Sequence, residues 1–235
     1  MLILATKFIP DRSAFETAQR AGFRAAEFWL NAKLLLEQDR IATLAKQFPF
    51  RYALHFPNDG PISDEALKCA ASLFRQLDCT AIVIHQPMFD RYAKTLWEID
   101  PGLILAIENH VLNLTKFEQW AEQSPALTLD VEHLWKFTLH DAPLAILLEH
   151  LDRILDRHAG KLHHVHLPGY RPGGEEHQPV HESDEMASEV LTRLAAHGFG
   201  KLVVSEADTP FQVDEFLRKD VAFFDRWTKL SNRRL

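Results

Sequence analysis

The chain is poor in cysteine, poor in glycine and without any long apolar run. Its 235 residues include only two cysteines, Cys69 and Cys79, and nine glycines. Neither cysteine has metal-ligand spacing or suggests a disulfide framework, so a reducing cytoplasm is the expected compartment. No stretch approaches the roughly 18 consecutive apolar residues of a membrane-spanning helix, so no membrane association is expected. The opening MLILATKFIPDR has no basic segment ahead of its short apolar run and reads as a first strand rather than a signal peptide. No Gly-rich turn follows that strand, which argues against an open, doubly wound sheet. Basic residues are in the minority: 26 Lys and Arg against 33 Asp and Glu leave a formal net charge of −7. A broad basic face for nucleic acid is therefore not expected. No low-complexity tract or Ser/Gly linker divides the chain, and one domain over residues 1–235 is expected.

A sizeable core is possible, since 46% of the residues are hydrophobic. Short apolar runs rich in Ile, Val, Leu and Phe fall near residues 2–8, 25–30, 52–57, 81–87, 103–109, 127–133, 163–169 and 202–208. Such runs suit strands buried on both faces. Amphipathic stretches lie between them. Ser13–Glu16 and Thr115–Glu118 have capping-box patterns, and Asp141-Ala-Pro143 suits the start of the longest helix, LAILLEHLDRILDRH, with Gly160 as its stop. SDEALKCAASLFRQL and SDEMASEVLTRLAAHG repeat the helical pattern, the second closed by Gly198. The runs recur about every 22–29 residues, widening to about 36–39 late in the chain, the range of a βα unit. Eight such units predict a single (β/α)8 TIM barrel, of α/β class.

Acidic and imidazole side chains close one run after another: His55, His85, Glu108, Asp130, His166 and Glu206. In a parallel barrel the C-terminal strand ends form the face where chemistry is done. Glu108, Asp130, His166 and Glu206 fall on the fifth to eighth strands, adjacent staves that surround one point. Carboxylates are costly inside apolar runs such as ILAI and LTL unless paired or metal-bound. Three carboxylates with one imidazole suit one divalent metal, Mn²⁺, Mg²⁺ or Co²⁺, with Zn²⁺ also acceptable. His133 just beyond the sixth run reads as a substrate contact, a support for the ligands, or a ligand to another metal. His55 and His85 extend the set. His163 and His164 read equally well as packing residues. Glu27, Trp29 and Trp135 are candidates for the pocket wall, and His110 is undecided. The loop Pro168–Glu182 should lie over the mouth, and its Arg171, Glu175, Glu176, His177 and His181 favour a functional role.

These residues, in the order LH (His55), IH (His85), IEN (Glu108), LDxxH (Asp130, His133), HVHL (His164, His166), a loop His (His177) and SE (Glu206), resemble the xylose isomerase-like TIM-barrel superfamily. That superfamily contains sugar isomerases and epimerases and also endonuclease IV. The resemblance covers essentially the whole chain. It implies metal ligation by Glu108, Asp130, His166 and Glu206, and substrate contacts from His133 and Arg171. In the isomerase and epimerase branch it further implies that Glu108 and Glu206 are the acid–base pair acting on a small sugar-like substrate. The endonuclease IV branch implies two or three Zn²⁺ held by a fuller set that includes His55, His85, His133 and His177. Two departures stand against that branch. Its Asp-x-His loop pair appears here as Glu175-Glu176-His177, and Pro168-Gly169 replaces the Asn-Asp after the seventh-strand His. The mouth also offers few cations beyond Arg91, Lys136 and Arg171.

The leading expectation is a metal-dependent sugar isomerase or epimerase in the cytoplasm. A two- or three-zinc phosphoesterase of a small substrate is the alternative, ahead of a non-catalytic metabolite-binding barrel. Phe211, Phe216, Phe223, Phe224 and Trp227 suit either the core or a subunit contact, which leaves a homo-oligomer open.

Overall fold

A computed structural model describes residues 1–231. Residues 232–235, the end of the basic tail KLSNRRL, lie outside the described residues. Eight parallel strands pair in chain order and close into a barrel, β8 returning to β1. They are β1 (Ile3–Phe8), β2 (Ala25–Trp29), β3 (Arg51–His55), β4 (Ile82–His85), β5 (Leu105–Glu108), β6 (Leu127–Asp130), β7 (Leu162–His166) and β8 (Leu202–Ser205). The expected single (β/α)8 barrel is thus the observed architecture. Several expected runs overshoot their strands. The run to 133 passes the end of β6 at Asp130, because Asp130 already caps a helical turn through a bond from the His133 amide.

The helices are α1 (Arg12–Ala21), α2 (Ala32–Leu35), α3 (Gln38–Ala45), α4 (Asp64–Gln76), α5 (Gln86–Ile99), α6 (Leu114–Gln123), α7 (Val131–His133), α8 (Leu144–His158), α9 (Asp184–Ala196) and α10 (Asp214–Ser231). A π-helical turn, 134–138, continues α7. The two capping boxes are not the caps used. Asp11 caps α1 by accepting from the Ala14 amide, and Asn113 caps α6 by accepting from the Lys116 amide. Each lies two residues ahead of the expected hydroxyl, which starts both helices earlier. The longest helix is α10, with 18 residues, rather than α8 with 15. No described helix is long and apolar enough to cross a membrane.

Alternation along the strands builds two kinds of layer. Outward-facing apolar side chains pack under the helices; around β1 to β3 these include Phe8, Phe28 and Tyr52, gathered around Phe15 of α1. Inside the barrel lie apolar residues, mostly alanine: Ala5, Ala25, Ala53, Leu202 and Val204 in one cluster and Ala81, Ala106 and Ala126 in another. Two residues further along the same strands come Lys7, Glu27, His55, Glu206 and Glu108. The narrow apolar floor thereby carries an ionisable layer at the C-terminal end. On α10 Phe223 is buried, while Phe224 and Trp227 meet in a tilted pair and pack against the core within the same chain.

Candidate metal centre

Strand register aligns the ionisable layer. Lys7 pairs with Glu27, His85 with Glu108, and Asp130 with His166. Asn109 then locks β5 to β6: its amide oxygen accepts from the Asp130 N–H at 2.7 Å and its amide nitrogen donates to the Asp130 carbonyl at 2.9 Å. Glu108 and Asp130 are therefore held side by side by backbone geometry, in spite of like charge.

The His166 Nδ1 is the point of convergence. Glu206 Oε2 lies 2.7 Å away, and Glu108 Oε1 and Asp130 Oδ2 lie at 3.7 Å. Asp130 and His166 are fully buried and Glu108 nearly so, while Glu206 reaches the cavity. Yet His166 Nδ1, Asp130 Oδ2, Glu206 Oε2 and His133 Nδ1 all lack a hydrogen-bond partner. An unsatisfied buried polar group costs about 1–3 kcal/mol, more when charged. Glu108, Asp130 and His166 offer ligand atoms that all lie within 4.8 Å of one another, Asp130 Oδ2 and His166 Nδ1 are partnerless, and Glu206 Oε2 reaches His166 Nδ1 from just past β8, a donor set that suits a divalent cation. The residues present therefore fit a metal.

Two further groups flank this one. His55 Nε2 and His85 Nε2 lie 3.2 and 3.3 Å from Glu108 Oε2. His133, Glu176 and His177 form the other, each group offering ligand atoms within 4.8 Å of one another. His177 has a left-handed backbone, φ 54°, which is unusual for a side chain other than glycine. It is fixed by its N–H donating to the buried Glu132 Oε2 at 2.9 Å. Lys136 pairs with Glu176 at 2.5 Å.

Electrostatics follow from this packing. Burial opposes charge on Glu27, Glu108 and Glu206, but neighbouring imidazolium groups and, for Glu27 and Glu206, the Lys7 ammonium hold these carboxyls well below the usual range. Burial likewise opposes charge on His133, which Asp130 and Glu108 nonetheless raise to about 10. His177 is raised to about 9 against burial, chiefly by its bond to Glu132. His166 is raised by Glu206, Glu27 and Glu108. For His55 and His164 burial prevails and lowers the value. The raised values favour the imidazolium forms of His133 and His166, the forms that compete with a bound cation.

The centre opens into a cavity of about 430 Å³ whose wall includes Lys7, Trp29, His55, His85, Glu108, His110, His133, Glu176, His177 and Glu206. The structure brings together His55, His85, Glu108, Asp130, His133, His166, His177 and Glu206. It separates two other expected residues from the cavity. His164 is fully buried below it against Glu27, and Arg171 is exposed with its Nε donating to the Glu182 carbonyl. Of the wall candidates, Trp29 lines the cavity, Glu27 is buried beneath His166, and Trp135 packs on Tyr170 instead. His110 lies at the mouth, stacked 4.6 Å from His85. The expected mouth loop is anchored by a bridge between Gly169 and Gln178, where a Cβ on Gly169 would meet the Pro179 carbonyl at 2.1 Å. His181 turns away from the cavity to Asp220.

Sequence reasoning passed over Lys7 and the part Glu132 plays. Lys7 offered one signal, a lysine inside the apolar run ILATKF. Glu132 offered none, since the stretch DVEH draws attention to Asp130 and His133.

No family model and no curated protein matches the sequence. Solved structures do. A D-tagatose 3-epimerase-like protein superposes with a TM-score of 0.71 over 99% of both chains at 15% identity. A D-allulose 3-epimerase from Methylomonas sp., solved with D-allulose, gives 0.65 over 96% of both chains at 14% identity. Endonuclease IV from Thermus thermophilus gives 0.65 over 97% of this chain and 99% of its own at 16% identity. At such identities the likeness is one of fold, that of a closed barrel of eight parallel strands. Both branches are represented, so the likeness alone does not choose between their chemistries.

Proposed function

We propose that the protein is a divalent-metal-dependent isomerase or epimerase of a small sugar or sugar derivative. The observation that carries this reading is the grouping of Glu108, Asp130 and His166 within ligand reach of one another, with Glu206 beside His166 and partnerless buried atoms on Asp130, His166 and Glu206. Glu108, Asp130, His166 and Glu206 would hold the cation, Mn²⁺, Co²⁺, Mg²⁺ or Zn²⁺ by donor type. When bound, it supplies positive charge to stabilise the oxyanion that develops as a carbonyl-adjacent proton leaves. Glu108 and Glu206 enter from well-separated staves, β5 and the end of β8. One carboxylate, ionised at rest, takes the proton from the carbon beside the carbonyl, and the other, having first picked up a proton from solvent, returns it to the opposite face or the neighbouring carbon. His133, at the cavity wall between the two, orients substrate hydroxyls, and His55 and His85 complete the opposite wall. The cavity of about 430 Å³ is sized for a small molecule. Glu108→Gln and Glu206→Gln, each assayed over a panel of ketoses and keto-sugar derivatives with Mn²⁺ or Co²⁺ supplied, should abolish turnover and leave the circular dichroism spectrum unchanged. Full activity in either variant would overturn the mechanism.

A second reading has its own support. The groups His55–His85–Glu108 and His133–Glu176–His177 give three potential metal positions around one cavity. That arrangement suits a two- or three-zinc phosphoesterase, in which neighbouring cations stabilise the attacking and leaving oxygens. A small phosphoester is favoured over nucleic acid, because Lys136 is already paired with Glu176 and Arg171 faces a carbonyl. This reading predicts more than one zinc per chain, and loss of the additional metal in His55→Ala or His85→Ala.

A further inference from the structure

Beneath the convergent ligands, a closed ring of contacts links β1, β2, β7 and the end of β8. Lys7 Nζ bonds Glu206 and lies 3.4 Å from Glu27 Oε1. His166 Nε2 is 3.0 Å from Glu27 Oε2, and His166 Nδ1 is 2.7 Å from Glu206 Oε2. Glu27 is wholly buried and is not part of the cavity wall. It therefore acts through its neighbours. By accepting from Nε2–H, it fixes the tautomer of His166 and turns Nδ1 upward toward Glu108, Asp130 and Glu206. Lys7 compensates the Glu27 charge and holds one oxygen of Glu206, leaving the other oxygen free to face His166.

We propose that Lys7 and Glu27 form a buried clamp, one positioning unit that sets His166 and Glu206 at the same time for metal binding. This rests on the metal centre proposed above. A carboxylate behind a ligating histidine is worth about 10- to 100-fold in metal affinity. Lys7 adds what such a pair lacks, a tie from that carboxylate to a second ligand on another strand.

Charge alone makes contrary predictions, which gives the test its edge. Lys7 is a cation next to a cation site, so on charge alone Lys7→Met should tighten metal binding. The double variant Lys7→Met/Glu27→Gln removes one charge of each sign, so on charge alone it should bind like the unmodified protein. The clamp predicts the opposite in both cases. Metal-free protein and the three variants would be titrated with Mn²⁺ by calorimetry, with thermal unfolding checked first. The clamp predicts Glu27→Gln weakened about 10- to 100-fold. It also predicts Lys7→Met weakened, and the double variant no worse than the weaker single, since both changes break the same ring. Tighter binding by Lys7→Met, or near-native affinity in the double variant, would overturn it. If Glu27→Gln fails to fold, the sign of the Lys7→Met change decides alone. Absence of Mn²⁺ binding by the unmodified protein would overturn the metal centre itself and the clamp with it, a result distinct from variants that bind as well as the parent.

Discussion

Asp130 and Asp220 are both fully buried, and each stands beside a histidine at the C-terminal side of the barrel. Asp220 is satisfied. Its Oδ1 accepts from the His181 N–H at 3.0 Å and contacts His181 Nδ1 at 2.6 Å, and its Oδ2 accepts from Ser205 Oγ at 2.7 Å. Asp130 engages one oxygen with the His133 amide and leaves the other without a partner, facing His166, Glu108 and Glu206. The first cluster fastens α10 and the 169–183 loop to β8. The second faces an open cavity with unmet bonding capacity. Burial of an acid and an imidazole is common to both, so it does not mark a site. The partnerless oxygen does.

The sharpest way to break this comparison is to neutralise each cluster in turn and follow turnover. Glu108→Gln or Glu206→Gln should lower kcat by roughly 10³-fold, the scale of lost acid–base catalysis. Asp220→Asn should keep activity within about tenfold, measured on the same substrate. Equal losses would mean that the two clusters do not differ in kind.

In alkaline solution, stability should reverse that order. Asp220→Ala strands Ser205 and the His181 amide and should cost about 3 kcal/mol in urea unfolding. In metal-free protein Asp130→Asn removes the anion that faces the His133 and His166 imidazoles, so it costs stability at neutral pH, but toward pH 10, where His133 gives up its proton, its cost should fall below that of Asp220→Ala. A larger loss at Asp130 than at Asp220 under those alkaline conditions would show that Asp130 is a structural residue.

The pH dependence sharpens the contrast further. In the folded metal-free protein Asp130 and Glu108 raise His133 to about 10 despite burial. A raised folded value means that the stabilisation is complete below the ordinary histidine value of about 6.5 and fades as pH climbs through about 10. His166 acts in the same direction. Glu27, Glu108 and Glu206, held low, contribute throughout that window and lose their effect only in acid. The Tm of chelator-treated protein should therefore fall as pH is raised from about 6.5 to about 10. In the same window the affinity for metal should rise, because protons leave the imidazoles that compete for it. A Tm that holds or rises would contradict the assigned charge states.

The smallest effect belongs to the rim. Trp29 is 48% exposed and lines the cavity. Trp29→Ala should change stability by less than about 0.5 kcal/mol while raising KM, measured by steady-state kinetics. An unchanged KM would remove Trp29 from the substrate contacts.

Much of the barrel was legible because its strands are buried on both faces, so each run announced its type, and in β3 to β7 an acidic or imidazole residue marks the upper end that the apolar run itself overshoots. The ligands were legible for the same reason: Glu108 and Asp130 interrupt apolar runs where nothing else explains a charge. Helix starts were less so, since Asp11 and Asn113 act two residues ahead of more conspicuous hydroxyls. Arg171 was expected at the substrate through the family resemblance, but in the loop that follows β7 it turns to the Glu182 carbonyl. Lys7 escaped, and Glu27 was read only as pocket wall, because their contacts depend on register across β1, β2 and β7, which no local pattern reveals. The distinction between Asp130 and Asp220 is likewise tertiary, made by partners that come from elsewhere in the chain.

Metal content per chain tests the central claim most directly. Protein purified without chelator and soaked in Mn²⁺ or Zn²⁺ would be measured by elemental analysis beside Asp130→Asn and Asp220→Asn. The account predicts at least one equivalent in the unmodified protein, its loss in Asp130→Asn and its retention in Asp220→Asn. One equivalent supports the isomerase reading, and two or three of zinc support the phosphoesterase. No metal in the unmodified protein, or undiminished metal in Asp130→Asn, would contradict it.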